Sequence, residues 1–353
     1  MFITGIGTAT PPKRYRQEEC WNALRGSTQF QSLSTRSRAI LKKVLLGANG
    51  ISTRHLALDP LEEVFEVSPD ILHSRFVRHA PAVATEAARR ALQDSGEQAE
   101  NVDAILISTC TGYLCPGLTS YVSERLSMRP DVFCLDLVGQ GCGAAIPNLR
   151  AADNLIRSGG HKVVLSICVE ICSAVFYLDD DPGVLISACL FGDGAGAAVL
   201  RSTPAAASQR RVFWKQSASL LAAGDRDLLR FEYKEGMLRN VLSPQVPALA
   251  AGYAKQLLDQ VMTASGRSRS EITAWILHAG GRDVLTAVGQ ALGLEGDEVC
   301  WSARTLSEYG NLSSPFVFFV LEQALKNHAP PGVWWMAAFG AGFSSHGALL
   351  EVS

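Results

Sequence analysis

Ile272-Thr273-Ala274-Trp275-Ile276-Leu277-His278-Ala279-Gly280-Gly281 reads as a buried strand that ends on an imidazole and a run of small residues. Its first six residues carry no charge and are rich in β-branched and aromatic side chains, which suits a strand covered on both faces. A helix pattern bearing Leu257, Leu258, Val261 and Met262 precedes it and stops at Ser265-Gly266, where glycine ends a helix at little conformational cost. The same succession occurs once before. Ala84, Ala87, Ala88, Ala91 and Leu92 mark a helix closed by Ser95-Gly96, and Val102-Asp103-Ala104-Ile105-Leu106-Ile107-Ser108-Thr109-Cys110 is its strand. Cys110 and His278 thus occupy matching strand ends.

The correspondence runs on downstream. Cys142 opens a helix marked by Leu149, Ala152, Leu155 and Ile156, followed by Gly159-Gly160 and a strand from Val163 to Ile167. Asn311 precedes a helix bearing Phe316, Phe319, Val320, Leu321 and Leu325, then Pro330-Pro331-Gly332 and a strand from Val333 to Ala338. Each half reads strand, loop, reactive residue, helix, strand, which is the alternation of an α/β domain with helices packed on a sheet. Two pseudo-duplicated halves are expected, residues 1–205 carrying Cys142 and residues 206–353 carrying His278 and Asn311. Facing each other about a pseudo-two-fold axis, they would bring the helix N-termini at Cys142 and Asn311 together, with His278 beside them. Generic α/β periodicity is the competing account of the repeat.

The whole chain agrees with an ordinary soluble globular protein. Of 353 residues, 47% are hydrophobic and 19% charged, enough to bury a sizeable core and too apolar for disorder. A formal net charge of -2 with scattered basic residues leaves no nucleic-acid footprint. No apolar run approaches the roughly 20 residues of a membrane span, and the first residues have no basic, apolar leader, so the expected location is the cytoplasm. Nine cysteines, an odd number lying mostly in apolar segments, suit reduced thiols rather than a disulfide framework. None has the spacing of a zinc site, so no metal is expected.

Three residues carry the chemistry. In Gly139-Gln140-Gly141-Cys142-Gly143-Ala144-Ala145 the glycines permit a sharp strand-to-helix turn and close approach of a substrate. A helix start favours the thiolate, which is expected to lower the Cys142 pKa, and its free N–H groups can bind an oxygen that turns negative on attack. A packed cysteine at a tight turn is the plainer reading. His278 sits where glycines leave space, although it could instead cap the next helix. In Glu308-Tyr309-Gly310-Asn311-Leu312-Ser313-Ser314 the carboxamide of Asn311 adds a polar donor, although it could be an N-cap. Together they suit the decarboxylation of a malonyl thioester, whose enolate oxygen needs hydrogen-bond donors while its carbon attacks an acyl group on Cys142.

Glycine-flanked Cys142, His278-Ala279-Gly280-Gly281 and Glu308 to Ser314, with Leu190-Phe191-Gly192-Asp193-Gly194, resemble the signatures of type III polyketide synthases, the chalcone and stilbene synthase superfamily. The resemblance runs through nearly the whole chain and looks closer to the bacterial than to the plant members. It implies a thiolase-like αβαβα five-layer fold and a homodimer. It also implies iterative decarboxylative condensation of malonyl-CoA onto a starter acyl-CoA, without an obligatory acyl carrier protein and with no cofactor beyond the CoA thioesters. Cys142 would carry the acyl group, and His278 and Asn311 would serve decarboxylation and the oxyanion. Phe191 would be an aromatic gate, with core packing the alternative, and Ser313 would contact substrate.

Several positions depart from the plant pattern. Gly236-Met237-Leu238-Arg239 lies where a second gating phenylalanine is expected, and Cys115 stands where a methionine reaches into the partner's cavity. Cys115 and Ser173, both small, would leave room for an alkyl starter. Arg36, Arg38, Lys42, Lys43 and Arg54 are candidates for CoA phosphates, Arg54 foremost, against the alternative of a solvated helix face. His346, in the loop Gly340 to Gly347, is expected to be structural unless it lies close to Cys142. Two rivals share the fold: a β-ketoacyl-acyl-carrier-protein synthase III, which usually has a polar residue and an asparagine soon after this histidine, and a non-condensing acyltransferase.

Overall fold

Gly96 and Gly266, both left-handed at φ 68° and 66°, end the helices Pro69–Ser95 and Val246–Ser265 in the same way. Each is followed by a short 3-10 turn, Ala99–Asn101 or Arg269–Glu271, and then by a buried strand, Ala104–Thr109 or Ile272–Leu277. The computed structural model describes residues 1–204 and 210–353, so the expected boundary between positions 205 and 206 lies outside the described residues.

The strands form one mixed sheet of nine, with two half-sheets meeting near its middle. In the first half Phe2–Ala9, Gly194–Arg201, Val163–Glu170, Ala104–Thr109 and Phe133–Val138 lie side by side. In the second the order is Val212–Arg226, Gly342–Val352, Gly332–Gly340, Ile272–Leu277. The half-sheets meet where Phe2 lies opposite Phe213 and Ile3 opposite Val212, and Trp214 N donates to Met1 O at 2.9 Å beside them. Side-chain alternation along Ala104–Thr109 shows how the layers arise: Ala104 and Leu106 pack with the helix Ala145–Arg157, whereas Ile105 and Ile107 pack with Pro69–Ser95 on the other face.

Two helices form the middle layer. Ala145–Arg157 packs on strands of both half-sheets, and so does Phe316–Lys326. The run Phe316-Val317-Phe318-Phe319-Val320-Leu321 is apolar all round, and every one of these residues is buried, as a helix enclosed by two sheets requires. Pro69–Ser95 and Leu118–Arg125 cover the first half-sheet from outside, and Val246–Ser265 covers the second. The result is the five-layer α/β sandwich.

Two local expectations need correction. The connection from each first strand to its reactive residue is not a plain loop. In the first half it holds the helix Leu118–Arg125 and the strand Phe133–Val138; in the second it holds the helices Arg282–Leu292 and Cys300–Tyr309. The helix expected to open at Cys142 begins at Ala145, and Cys142 itself sits in a 3-10 turn, Gly141–Gly143.

Candidate active site

The turn that holds Cys142 depends on the absence of two side chains. Gly141 is left-handed at φ 57°, and a Cβ there would stand 2.9 Å from the Ala341 backbone nitrogen, so only glycine fits. A Cβ on Gly143 would stand 2.8 Å from Cδ2 of His346. His346 therefore lies directly against the turn that carries Cys142, its Nδ1 2.8 Å from Ser219 Oγ and its Nε2 buried without a partner among the described residues. Burial holds its pKa down at about 4.

The sulfur of Cys142 accepts a hydrogen bond from Ser313 Oγ at 3.2 Å. Ser313 is left-handed at φ 59°, a conformation that costs a non-glycine residue about 1 kcal/mol or more and collects at functional sites. Its backbone N–H donates to Asn311 Oδ1 at 2.9 Å, and Asn311 Nδ2 donates to Gly280 O at 3.0 Å. Bonds at both ends fix which way the carboxamide points, leaving one N–H of Nδ2 for another acceptor. His278 Nε2 and Asn311 Nδ2 lie 3.9 and 4.0 Å from the point where a Gly280 Cβ would stand. A side chain at position 280 would thus fill the space that the two groups share. His278 is buried edge-on against Phe316, the ring centroids 5.2 Å apart, and its Nδ1 has no partner among the described residues.

Burial dominates the electrostatics. It pushes the Cys142 thiol up to about 12, the Ser313 hydrogen bond working against this and the charge of Glu170 adding to it. The expected lowering is overturned because desolvation outweighs the short turn in front of the helix. Burial likewise takes His278 down to about 3. Each group on its own is held neutral, and a proton passing from the sulfur to an imidazole would leave the net charge unchanged.

A pocket of about 640 Å³, counting the solvent at its open mouth, is lined by Cys142, Ser313, Phe191, Cys172, Phe231 and Thr111 among others. Phe191 pairs with Asn311 in an isolated parallel bridge, Gly192 N donating to Asn311 O at 3.0 Å and Asn311 N to Leu190 O at 2.9 Å. That bridge ties the cavity's aromatic wall to the polar site.

Several expected site residues lie elsewhere. Arg54 is 2% exposed and turned inward, donating Nε to Gln17 Oε1 at 2.9 Å and Nη1 to the carbonyls of Ala188 and Phe191 at 2.7 and 2.8 Å. It braces the Phe191 backbone and cannot meet a phosphate at the surface. Cys115 is exposed on the protomer and does not line this cavity. Ser173 is fully buried, its N–H and hydroxyl bound to Asp193 at 2.8 and 2.6 Å, so it opens no room; its neighbour Cys172 lines the cavity instead. Arg36, Lys42 and Lys43 stand exposed, and Arg38 half-buried, on the helix Thr35–Leu46.

Two residues escaped the sequence reading. Phe231, on the hairpin formed by Leu229–Lys234 and Met237–Leu242, lines the cavity with Phe191, although positions 236–239 pointed to no second phenylalanine. The alternation of Leu229, Phe231 and Tyr233 before the turn at Glu235-Gly236 was the available signal. Glu170 is a buried carboxylate that accepts from Ser314 Oγ at 2.6 Å, from Thr111 Oγ1 at 2.9 Å and from Cys110 N at 3.0 Å; burial raises its pKa. Ser313 Oγ stands 3.5 Å from it. Among the described residues no group of three or more His, Cys, Asp or Glu is placed to hold a metal ion, and no helix is long and apolar enough to cross a membrane.

Comparison with known proteins places this geometry. The family model for the N-terminal domain of chalcone and stilbene synthases matches residues 1–204, and that for the C-terminal domain matches residues 218–350. A 1,3,6,8-tetrahydroxynaphthalene synthase of Streptomyces peucetius is 31% identical over 99% of this chain and 92% of its own length. A 3,5-dihydroxyphenylacetyl-CoA synthase of Streptomyces toyocaensis is 27% identical, over 99% and 89%. An alpha-pyrone synthesis polyketide synthase-like protein of Mycobacterium tuberculosis is 26% identical, over 99% and 91%. Among solved structures, a polyketide synthase of the brown alga Ectocarpus siliculosus superposes with a TM-score of 0.91 at 24% identity, covering 99% of this chain and 97% of that one. The tetrahydroxynaphthalene synthase of Streptomyces coelicolor gives 0.87 at 23%, covering 99% of each. The five-layer sandwich is thus the thiolase-like fold of these enzymes.

Proposed function

This chain belongs to the chalcone and stilbene synthase family and is a type III polyketide synthase, and from that premise we propose how its residues divide the work. The starter acyl-CoA is attacked at its carbonyl by Cys142 Sγ. The thiol proton passes to His278, the sulfur–carbonyl bond forms, and CoA leaves with a proton. Malonyl-CoA then loses carbon dioxide. The electron pair left behind is an enolate, whose oxygen receives hydrogen bonds from His278 and from the free N–H of Asn311 Nδ2. Its carbon attacks the acyl carbonyl, a carbon–carbon bond forms, and the bond to Cys142 breaks. The lengthened chain, now a CoA thioester, is passed back to the Cys142 sulfur with release of CoA for the next round, until it cyclises and is released.

One observation carries this assignment: Asn311 is bonded at both ends of its carboxamide and shares the space before Gly280 with the His278 imidazole. Two donors fixed around one point suit an oxygen that gains charge only during reaction, because fixed dipoles need no rearrangement then. Phe191 and Phe231 supply the apolar wall that would favour loss of the charged carboxylate from malonyl. Malonyl-CoA serves directly as extender, with no carrier protein and no further cofactor, and the enzyme works in the cytoplasm.

The functional unit is a dimer in this proposal. Phe133–Val138 is an unpaired sheet edge, with Phe133 43% and Val138 57% exposed and Tyr113, 66% exposed, also large and apolar. An uncovered apolar edge invites a second chain. The deciding assay measures carbon dioxide from carboxyl-labelled malonyl-CoA, with malonyl-carrier protein in parallel. Release and extension from malonyl-CoA support the assignment; exclusive use of the carrier, or acyl transfer with no release, defeats it.

A further inference from the structure

His346 belongs to the strand Gly342–Val352 of the second half, yet it lies against the turn that carries the nucleophile of the first. The point where a Gly143 Cβ would stand is 2.8 Å from its Cδ2 and 3.3 Å from its Nε2. Backbone of the preceding strand meets the turn beside it: a Cβ on Gly340 would stand 2.4 Å from Gln140 O and 2.7 Å from Gly143 N. The Cys142 turn is therefore seated against the second half, and the His346 ring fills the space behind Gly143. Its cross-strand neighbour Ser219 fixes that ring, with Oγ 2.8 Å from Nδ1. Burial, and after it the charge of Arg150, keeps the imidazole neutral. Nε2 stays buried without a partner among the described residues, and a buried nitrogen left unpaired costs about 1–3 kcal/mol. An apolar side chain of similar size would fill the space without that cost, so packing alone does not account for a histidine.

We propose that His346 is a positioning residue for the nucleophile: held by Ser219, its ring fixes the turn Gly141–Gly143, and with it the direction from which Cys142 Sγ meets a thioester carbonyl. The inference rests on Cys142 carrying the acyl group. His346 touches no reacting atom. It acts on attack at the carbonyl, where a misplacement of about 1 Å costs on the order of a hundredfold. Decarboxylation, assigned to His278 and Asn311, does not depend on where the sulfur points.

The experiment measures the two steps separately in the full chain. Loading is followed as single-turnover acylation of Cys142 by butyryl-CoA, using intact-protein mass spectrometry, in the wild type, His346→Ala and Ser219→Ala. Decarboxylation is followed as carbon dioxide from carboxyl-labelled malonyl-CoA in Cys142→Ala, with and without His346→Ala. His346→Ala is expected to slow loading about tenfold or more, while release in the Cys142→Ala background changes by less than about twofold. Ser219→Ala keeps the ring but frees it to turn, and is expected to slow loading about two- to tenfold, the worth of one hydrogen bond. Loading at the wild-type rate in a folded His346→Ala overturns the proposal and makes the ring ordinary packing; so does an equal loss of loading and decarboxylation. Should His346→Ala not fold, Ser219→Ala, at an exposed position, decides in its place: slowed loading supports the proposal and unchanged loading overturns it. A wild type that neither loads a starter nor releases carbon dioxide is instead the failure of the polyketide synthase assignment, and the positioning role falls with it.

Discussion

Ser313 holds a left-handed backbone, φ 59°, and donates its hydroxyl to Cys142 Sγ at 3.2 Å. In the proposed mechanism this bond serves loading of the starter, since a donor stabilises the sulfur as it becomes anionic. Ser313→Ala is expected to slow acylation about two- to tenfold, the worth of one net hydrogen bond, as followed by intact-protein mass spectrometry. Ser313→Gly loses the same hydroxyl but relaxes the backbone, so its melting temperature should exceed that of the alanine variant.

In the proposed mechanism Asn311 acts on the enolate rather than on the thiol. Asn311→Ala should cut malonyl-CoA decarboxylation about 10²–10³-fold while sparing acylation of Cys142. Equal loss of both steps would show that the carboxamide only shapes the loop through Ser313 N and Gly280 O.

The pH behaviour of His278 is open to test once the thiol is removed. Burial lowers its pKa to about 3, so the neutral imidazole, the form present above the pKa, persists far below the usual value near 6.5. In Cys142→Ala, which should be unable to load a starter, residual decarboxylation is therefore expected to stay level from about pH 8 down to about pH 5. A fall with a midpoint near 6.5 would mean that the ring is solvated.

Arg54 is assigned a bracing role, which separates it from a phosphate ligand. Arg54→Met would leave Gln17 Oε1 and the carbonyls of Ala188 and Phe191 short of a donor. The loss should be about 3 kcal/mol in denaturant unfolding. The dependence of KM for malonyl-CoA on salt should not change, whereas charge removal at the exposed Lys42 or Lys43 should weaken it if these residues meet the CoA phosphates.

The proposed dimer makes the sheet edge sensitive to charge. Val138→Lys, on the unpaired edge strand, is expected to shift the protein from dimer toward monomer by light scattering at micromolar concentration, because a buried unpaired lysine is costly. A wild-type monomer would remove the need for a second chain.

Much of this molecule is readable in its residues. Gly96 and Gly266 announce two matching helix ends, the apolar run from Phe316 to Leu321 announces a helix enclosed on every side, and Cys142, His278 and Asn311 stand out as polar groups among glycines. What stays hidden depends on distant pairing. Glu170 looks like the polar end of a strand until Cys110 and Ser314, 60 and 144 residues away, close on it. Arg54 looks like any surface arginine until Gln17 and Phe191 fold around it. The Cys142 thiol is hard to read for a related reason: a helix start is a local feature, whereas desolvation is the work of the whole surrounding shell.

The helices Ala145–Arg157 and Phe316–Lys326 each grip strands from both halves, so the two halves cannot swing apart like jaws. Product choice would then fall to the walls of the cavity, whose place the shared middle layer fixes. Exchanging a few wall side chains would then suffice to give a new product, with the scaffold and its chemistry left untouched.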